Sequence, residues 1–176
     1  MPDARFSALG FAPGYFRFYF VAAVGLGLDL WTKSLAFSNL SLYGGPYRFI
    51  PGWVEFEAVV NHGAVFGLGQ GDRAVFVVVS IGAILFLNYL FATSGKRWGY
   101  QILLGMLMAG VMGNLYDRIA FGYVRDMIHA LPRWPKFFPW VFNVADSFLC
   151  VGVGLMVIYS MVSEHQAKRL RQEGNA

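Results

Sequence analysis

Three of the chain's ten acidic residues, Asp117, Asp126 and Asp146, fall within residues 113–147, GNLYDRIAFGYVRDMIHALPRWPKFFPWVFNVADS, together with Asn114, Asn143, Arg118 and Arg125. Long runs without a single charge flank this stretch on both sides. Ionisable groups beside apolar walls are costly and mark function. Two carboxylates close together in a partly dry site cannot both ionise easily, so they share a proton. The ionised member can draw a proton from water while the protonated member donates to a scissile carbonyl. That is chemistry for amide hydrolysis, and it requires neither a metal nor a cysteine.

A plainer reading covers part of the pattern. Asn143 and Asp146 form N-x-x-D at the start of an apolar run, the spacing of a helix cap in which the asparagine accepts from early amides and the acid answers the positive helix end. Capping leaves Asp117 unexplained, because it sits near a helix C-terminus where the dipole disfavours an acid, with Arg118 as the expected neutralising partner. It also leaves Asp126 unexplained, on a loop returning to the same place. Asp29 and Lys33, in DLWTK, are four apart and share a helix face. They form either a local ion pair that ends a helix or a support for a site at that membrane surface. Cys150, the one cysteine, lies in an apolar run and is expected to be a buried, inert thiol. His62, His129 and His165 are too scattered for a metal motif, so no metal and no cofactor is expected.

The elements that must position these residues follow from composition. Of 176 residues, 57% are hydrophobic and only 14% charged, against about 25% charged in a soluble domain. The length allows one domain, and the composition is that of an integral membrane protein. Spans are expected near residues 15–36, 74–95, 98–116 and 144–162, with large loops at 37–73 and 117–143. The first span has an uncharged centre of eleven residues, Phe18 to Leu28, short enough to suit a signal-peptide core. A retained span is preferred, with Arg17 and Lys33 snorkelling outward. In the first loop, Trp53 to Val60 alternates as a half-buried strand, with Val54, Phe56 and Ala58 on one face and Glu55 and Glu57 on the other. The glycines of NHGAVFGLGQG suggest a sharp re-entry turn or a close backbone approach to a ligand.

Basic residues are equally divided, seven in the tails and the short turn at residues 94–97 and seven in the two long loops. The first set is denser and lies hard against the span ends, which places both termini in the cytoplasm. No basic stripe suits nucleic acid. With this topology Asp29, Asn61, Asn114, Asp117, Asp126, Asn143 and Asp146 all gather at the outer membrane surface.

In order and at matching intervals, DLWTK, NHGAVFG, GNLYDR, GYVRD and FNVADS resemble the motifs of bacterial lipoprotein signal peptidase (signal peptidase II). The resemblance extends from the first span to the fourth. Val65 stands where that family usually has a small residue. The resemblance implies an aspartyl endopeptidase of the inner membrane that removes the signal peptide from diacylglyceryl-modified prolipoproteins, cutting before the lipidated cysteine. It casts Asp126 and Asp146 as the catalytic pair and Asn61, Gly63, Asn114, Arg118, Asn143 and Ala145 as substrate-binding, with Asp29, Lys33 and Asp117 bracing the site. It implies four transmembrane helices with an extracytoplasmic strand cradle and a short helix, both matched to the 37–73 loop. The expected partners are the lipidated precursor and membrane lipids, with the chain acting as a monomer. The aromatic residues of LPRWPKFFPW suit either an interfacial belt or a substrate surface.

Two other classes compete. A proton-coupled transporter could use Asp117, Asp126 and Asp146 as a relay, but these acids gather at one surface, not at the midplane, and no internal repeat appears. A scaffold with capped helices and no chemistry leaves Asp126 without a role.

Overall fold

The computed structural model describes residues 12–40, 45–63 and 73–173. Four helices are long and apolar enough to cross a bilayer: α1 (Ala12–Asn39), α2 (Arg73–Ala92), α3 (Trp98–Ala120) and α4 (Val144–Glu173). Each of α1, α3 and α4 runs past the apolar stretch that announced it, because helical hydrogen bonding continues into polar residues once the span is nucleated. Strands β1 (Tyr47–Ile50), β2 (Val54–Asn61), β3 (Val124–Ala130) and β4 (Val141–Phe142) form one antiparallel sheet in the order β1-β2-β3-β4.

The helix α3 is the hub, packed against α1, α2 and α4. Its contact faces are small: a β-carbon at Gly105 would meet the Phe18 carbonyl at 2.7 Å, and one at Gly110 the Ala145 carbonyl at 2.6 Å. Close backbone approach through small residues is how helices associate in an apolar medium, where burial gives no hydrophobic gain. Phe18 and Phe91 stack at 4.4 Å between ring centroids, and with Leu87, Leu104 and Met108 they fill the bundle core.

Two expectations need correction here. The cradle does not belong to the 37–73 loop alone. β3 and β4 come from the 117–143 segment and complete the sheet that β1 and β2 begin. Residues 45–63 hold strands and turns, and the rest of the loop where the short helix is expected, residues 41–44 and 64–72 with Val65, lies outside the described residues. Lys33 does not snorkel: it is fully buried, since two carboxylates inside the bundle give its ammonium better partners than the surface does.

The alternation expected in β2 holds only to Phe56. Phe56 pairs with Ile128 and Val59 with Asp126, so three steps along β2 match two along β3. This bulge inserts one extra residue and reverses which face the following side chains take. Asn61 therefore shares the face of Asp126 and not that of Glu55 and Glu57.

Candidate active site

Asp126 stands mid-strand on β3, whose placement is set from α3. Asp117, in the last turn of α3, receives the Arg125 backbone N–H at 2.9 Å on Oδ2 and the Arg125 Nε and Nη2 at 3.1 and 2.8 Å on Oδ1. Such a two-pronged pair fixes geometry as well as charge. It ties β3 back onto the helix that precedes it and turns the next residue, Asp126, to the opposite face. Arg118 is thus not the partner of Asp117. Adjacent helical side chains point apart, and Arg118 instead donates to the Asn114 carbonyl at 3.3 Å and the Gly63 carbonyl at 2.8 Å, with its guanidinium 4.9 Å from the Phe76 ring centre.

Asp146 is placed by its cap. The Asp146 N–H donates to Asn143 Oδ1 at 2.9 Å, and the Asn143 N–H donates to Asp146 Oδ2 at 3.2 Å. This is the reciprocal arrangement read from N-x-x-D, so capping is real. It also leaves Asp146 Oδ1 to accept from Asn114 Nδ2 at 2.8 Å. Capping and a site role are therefore compatible, since the cap holds the acid in one rotamer at the mouth of the bundle.

Two asparagines link the two carboxylates, and a third holds Asp126 from the other side. Asn143 Nδ2 donates to Asp126 Oδ1 at 2.6 Å and to Asn114 Oδ1 at 3.2 Å. Asn61 Nδ2 donates to Asp126 Oδ2 at 2.9 Å. Each amide has its polarity fixed by a donor on its own oxygen: Gly63 N–H for Asn61 at 2.9 Å, Asp146 N–H for Asn143, and Lys33 Nζ for Asn114 at 3.0 Å. All three therefore turn their NH₂ groups to the acids. Asp126 is 1% and Asp146 6% exposed. Burial, and then the charge of Asp146, push the Asp126 carboxyl up to about 7, against the opposing pull of the Asn61 and Asn143 amides.

Beneath this layer lies a buried ionic layer. Lys33 Nζ is 2.7 Å from Asp29 Oδ2 and 3.3 Å from Asp117 Oδ2. Asp29 Oδ1 accepts the Ala145 N–H at 2.8 Å, which joins α1 to the first turn of α4. The path is open because residue 113 is glycine, where a β-carbon would collide with Asp29 Oδ2 and sit 3.2 Å from the Ala145 β-carbon.

Asp126, Asp146 and Asn61 line one cavity of about 310 Å³ with Phe138, Trp140, Phe142, Ser147 and Cys150 among its walls, a size and an apolar character suited to a peptide segment. Phe138 and Trp140 are thus wall residues and not only a belt. Cys150 is exposed, not buried as expected: it lies one turn beyond Asp146 on the same face of α4, and that face is the cavity wall. Among the described residues expected to bind substrate, Asn61 lines the cavity, while Gly63, Asn114, Arg118, Asn143 and Ala145 do not. Ala145 is fully buried against α3, and Gly63 contributes its N–H to Asn61 and its carbonyl to Arg118.

Gly113, Arg125 and Ser34, whose Oγ lies 3.4 Å from Arg125 Nη1, were missed as positioning residues. For Gly113 the signal was present, as a third glycine on the crowded face of α3.

The family model described as signal peptidase (SPase) II matches residues 21–162. The chain is 36% identical over 154 residues to a lipoprotein signal peptidase of Enterococcus faecalis, covering 86% of this chain and 91% of that one. It is 37% identical over 142 residues to one of Caldanaerobacter subterraneus, covering 79% and 94%. A solved bacterial membrane enzyme, obtained by the in meso method, superposes with a TM-score of 0.74 at 27% identity, covering 82% of this chain and 87% of that chain. The matched segment takes in both carboxylates and the asparagines that hold them, and on that extent of likeness the chain belongs to the signal peptidase II family.

Proposed function

We propose that this protein is an aspartyl endopeptidase that cleaves the signal peptide from diacylglyceryl-modified prolipoproteins, just before the lipidated cysteine. The observation that carries the reading is the pair Asp126 and Asp146 on one cavity wall, each held by asparagine donors and standing where the helix bundle meets the sheet. Water gives a proton to the ionised carboxylate as its oxygen attacks the scissile carbonyl carbon. The protonated carboxyl gives its proton to the carbonyl oxygen. The tetrahedral diol then collapses: one hydroxyl returns its proton to the carboxylate that gave it as the C=O re-forms, the C–N bond breaks, and the proton taken from water goes to the leaving amine. Asn61 and Asn143 hold Asp126, and Asn114 and the cap hold Asp146, while the apolar wall at Phe138, Trp140 and Phe142 excludes bulk water and receives the apolar precursor. The density of basic residues beside the span ends supports cytoplasmic termini and a site at the outer face. There a lipid-tethered precursor already presents its scissile bond, and the tether supplies orientation as remote binding energy.

The test is cleavage of a lipidated precursor peptide by purified protein. Asp126→Asn and Asp146→Asn are each expected to lose on the order of 10⁴-fold in kcat/KM while remaining folded, with the double variant barely worse, as groups acting as a unit are strongly non-additive. Asparagine caps helices well, so a cap alone predicts little loss for Asp146→Asn. Near wild-type turnover in either single variant would refute the pair.

A further inference from the structure

Resting on that reading, the geometry points to Lys33 as a positioning residue for the reaction. By donating to Asn114 Oδ1 it turns the Asn114 NH₂ onto Asp146, and so holds Asp146 as the acceptor that takes the proton from water, leaving Asp126 to carry the proton of the pair. Lys33 touches neither carboxylate among its resolved partners. Its ammonium is 3.0 Å from Asn114 Oδ1, and Asn114 Nδ2 is 2.8 Å from Asp146 Oδ1. An ammonium has three donors and no acceptor. An asparagine facing it presents oxygen, and its NH₂ must then point the other way. The amide thereby passes the polarity of a buried cation across to the acid.

The two acids differ in how firmly their donors are fixed. Asp146 Oδ2 accepts a backbone N–H, from Asn143, which cannot turn round. It also lies in the first turn of α4, where the helix end favours a negative charge. Asp126 is on a strand without a helix end, and both its donors are side-chain amides. Asn143 also supports the orientation of Asn114 with the second hydrogen of its NH₂, but through a longer contact of 3.2 Å and without a charge. The charged groups facing Asp146 are Asp126 on β3, Arg118 on α3, and Lys33 with Asp29 on α1. Asp117 lies behind Lys33, and Cys150 shares the cavity.

Lys33→Met alone would leave Asp29 and Asp117 facing a missing cation and can fail to fold, so the experiment uses charge-balanced pairs. In Asp29→Asn/Lys33→Gln the glutamine oxygen can accept from Asn at 29 while its NH₂ donates to Asn114, so the donor survives without the charge. In Asp29→Asn/Lys33→Met the donor is gone as well. Asp117 keeps Arg125 in both. The readout is the pH profile of kcat/KM on the lipidated precursor, per folded molecule. A donor lost from an ionised carboxylate makes it harder to keep ionised. The acid limb of the Met pair is therefore expected about one pH unit above that of the Gln pair, with activity partly recovered at higher pH. Coincident limbs, or an equal loss at every pH, would overturn the inference and leave Lys33 a structural cation. A Met pair that does not fold beside a Gln pair that does counts against it too, since the inference assigns Lys33 to the reaction and not to the fold. Asp126→Asn and Asp146→Asn, run alongside, separate the two levels. If either stays active the dyad reading itself fails; if both are dead while the two limbs coincide, only the role of Lys33 does.

Discussion

The helix bundle carries a buried polar network at each end, and the two are built differently. At the end where α2 turns into α3, Gln101 is fully buried and donates to Ser94 Oγ at 3.1 Å and the Gly95 carbonyl at 2.8 Å, while accepting from Arg17 Nε at 3.0 Å. No carboxylate takes part in that clasp among the described residues. At the sheet end, Asp29, Asp117, Asp126 and Asp146 are all buried, and two of them border a cavity. In the first network the Gln101 amide is engaged on both its nitrogen and its oxygen. The second places proton-exchanging groups against open space. Both lock helices together, but only the second retains groups able to do chemistry. Buried polarity alone therefore does not separate a clasp from a site; titratable groups on a cavity wall do.

The contrast is broken most severely by adding one methyl at the sheet end. Gly113→Ala places a β-carbon into Asp29 Oδ2 and against the Ala145 β-carbon. α1 must back away, which withdraws Asp29 from the Ala145 N–H and shifts the first turn of α4 with Asp146. Overpacking of this kind costs about 1–3 kcal/mol, and a misplacement near 1 Å costs on the order of 100-fold in turnover. Thermal unfolding in detergent and turnover per folded molecule measure the two losses. Unchanged turnover would show that the asparagine layer tolerates movement of the ionic layer beneath it.

A second difference lies in pH. The Asp126 carboxyl is held up to about 7 in the fold, against about 3.9 for an unfolded aspartate. Below the lower value both states are protonated and the contribution to stability is fully present. Between the two, the unfolded chain has released a proton that the folded chain keeps, so stability falls as pH rises, and the loss is complete above about 7. Asp126→Asn removes this titration but sets an NH₂ against the NH₂ of Asn61 or Asn143, a cost that does not vary with pH. Its Tm is therefore expected to start below wild type near pH 4 and to gain on it by pH 8. Tm against pH for both proteins checks this, and parallel curves would remove Asp126 as the proton carrier. The Gln101 clasp holds no acid, so Gln101→Leu should lower Tm by the same amount at both pH values. That change strands Ser94, Gly95 and Arg17, at a cost of about 1–3 kcal/mol, with kcat per folded molecule unchanged. A fall in kcat would mean the two ends are coupled through α3.

Much of the sheet end was legible because it is expensive. Acids beside apolar runs stand out in any sequence, and N-x-x-D announces both a cap and an acid in a fixed rotamer. Pairing was less legible. Asp117 was assigned to its sequence neighbour Arg118, although neighbours on a helix diverge by about 100°. Its actual partner, Arg125, becomes available only after the chain turns back as β3. VRDMIHA gave no alternation to mark it as a strand, since its first four residues are all buried on both faces. The bulge in β2 left no trace in residue type, so alternation carried on beyond Val60 would turn Asn61 to the face of Glu55 and Glu57 and away from Asp126. Lys33 was sent outward by the general habit of long cations near span ends, and Asp29 and Asp117 reverse that habit by meeting it inside. Gln101 drew no attention because an amide in an apolar run has no charge to explain.

The smallest expected effect concerns Cys150, and it probes open against closed directly. The residue lines the cavity one turn beyond Asp146 and is exposed, whereas Ser94 at the opposite end is 1% exposed inside the clasp. Cys150→Ser nearly preserves size, removes no hydrogen bond seen in the structure, and should leave kcat/KM within about threefold, as substitutions away from packed or paired groups cost little. A bulky apolar maleimide on wild-type Cys150 should nevertheless abolish cleavage, because the adduct fills space beside both carboxylates. The same reagent should leave Cys150→Ser active. In that serine background, Ser94→Cys places a thiol in the other network, where burial denies the reagent access, so it should stay unlabelled while the protein is folded. Labelling is read by mass spectrometry. A labelled Cys150 that still permits full turnover would mean that the precursor approaches Asp126 and Asp146 from another side. A labelled cysteine at 94 would mean that the clasp opens and that the two ends differ less than their geometry indicates.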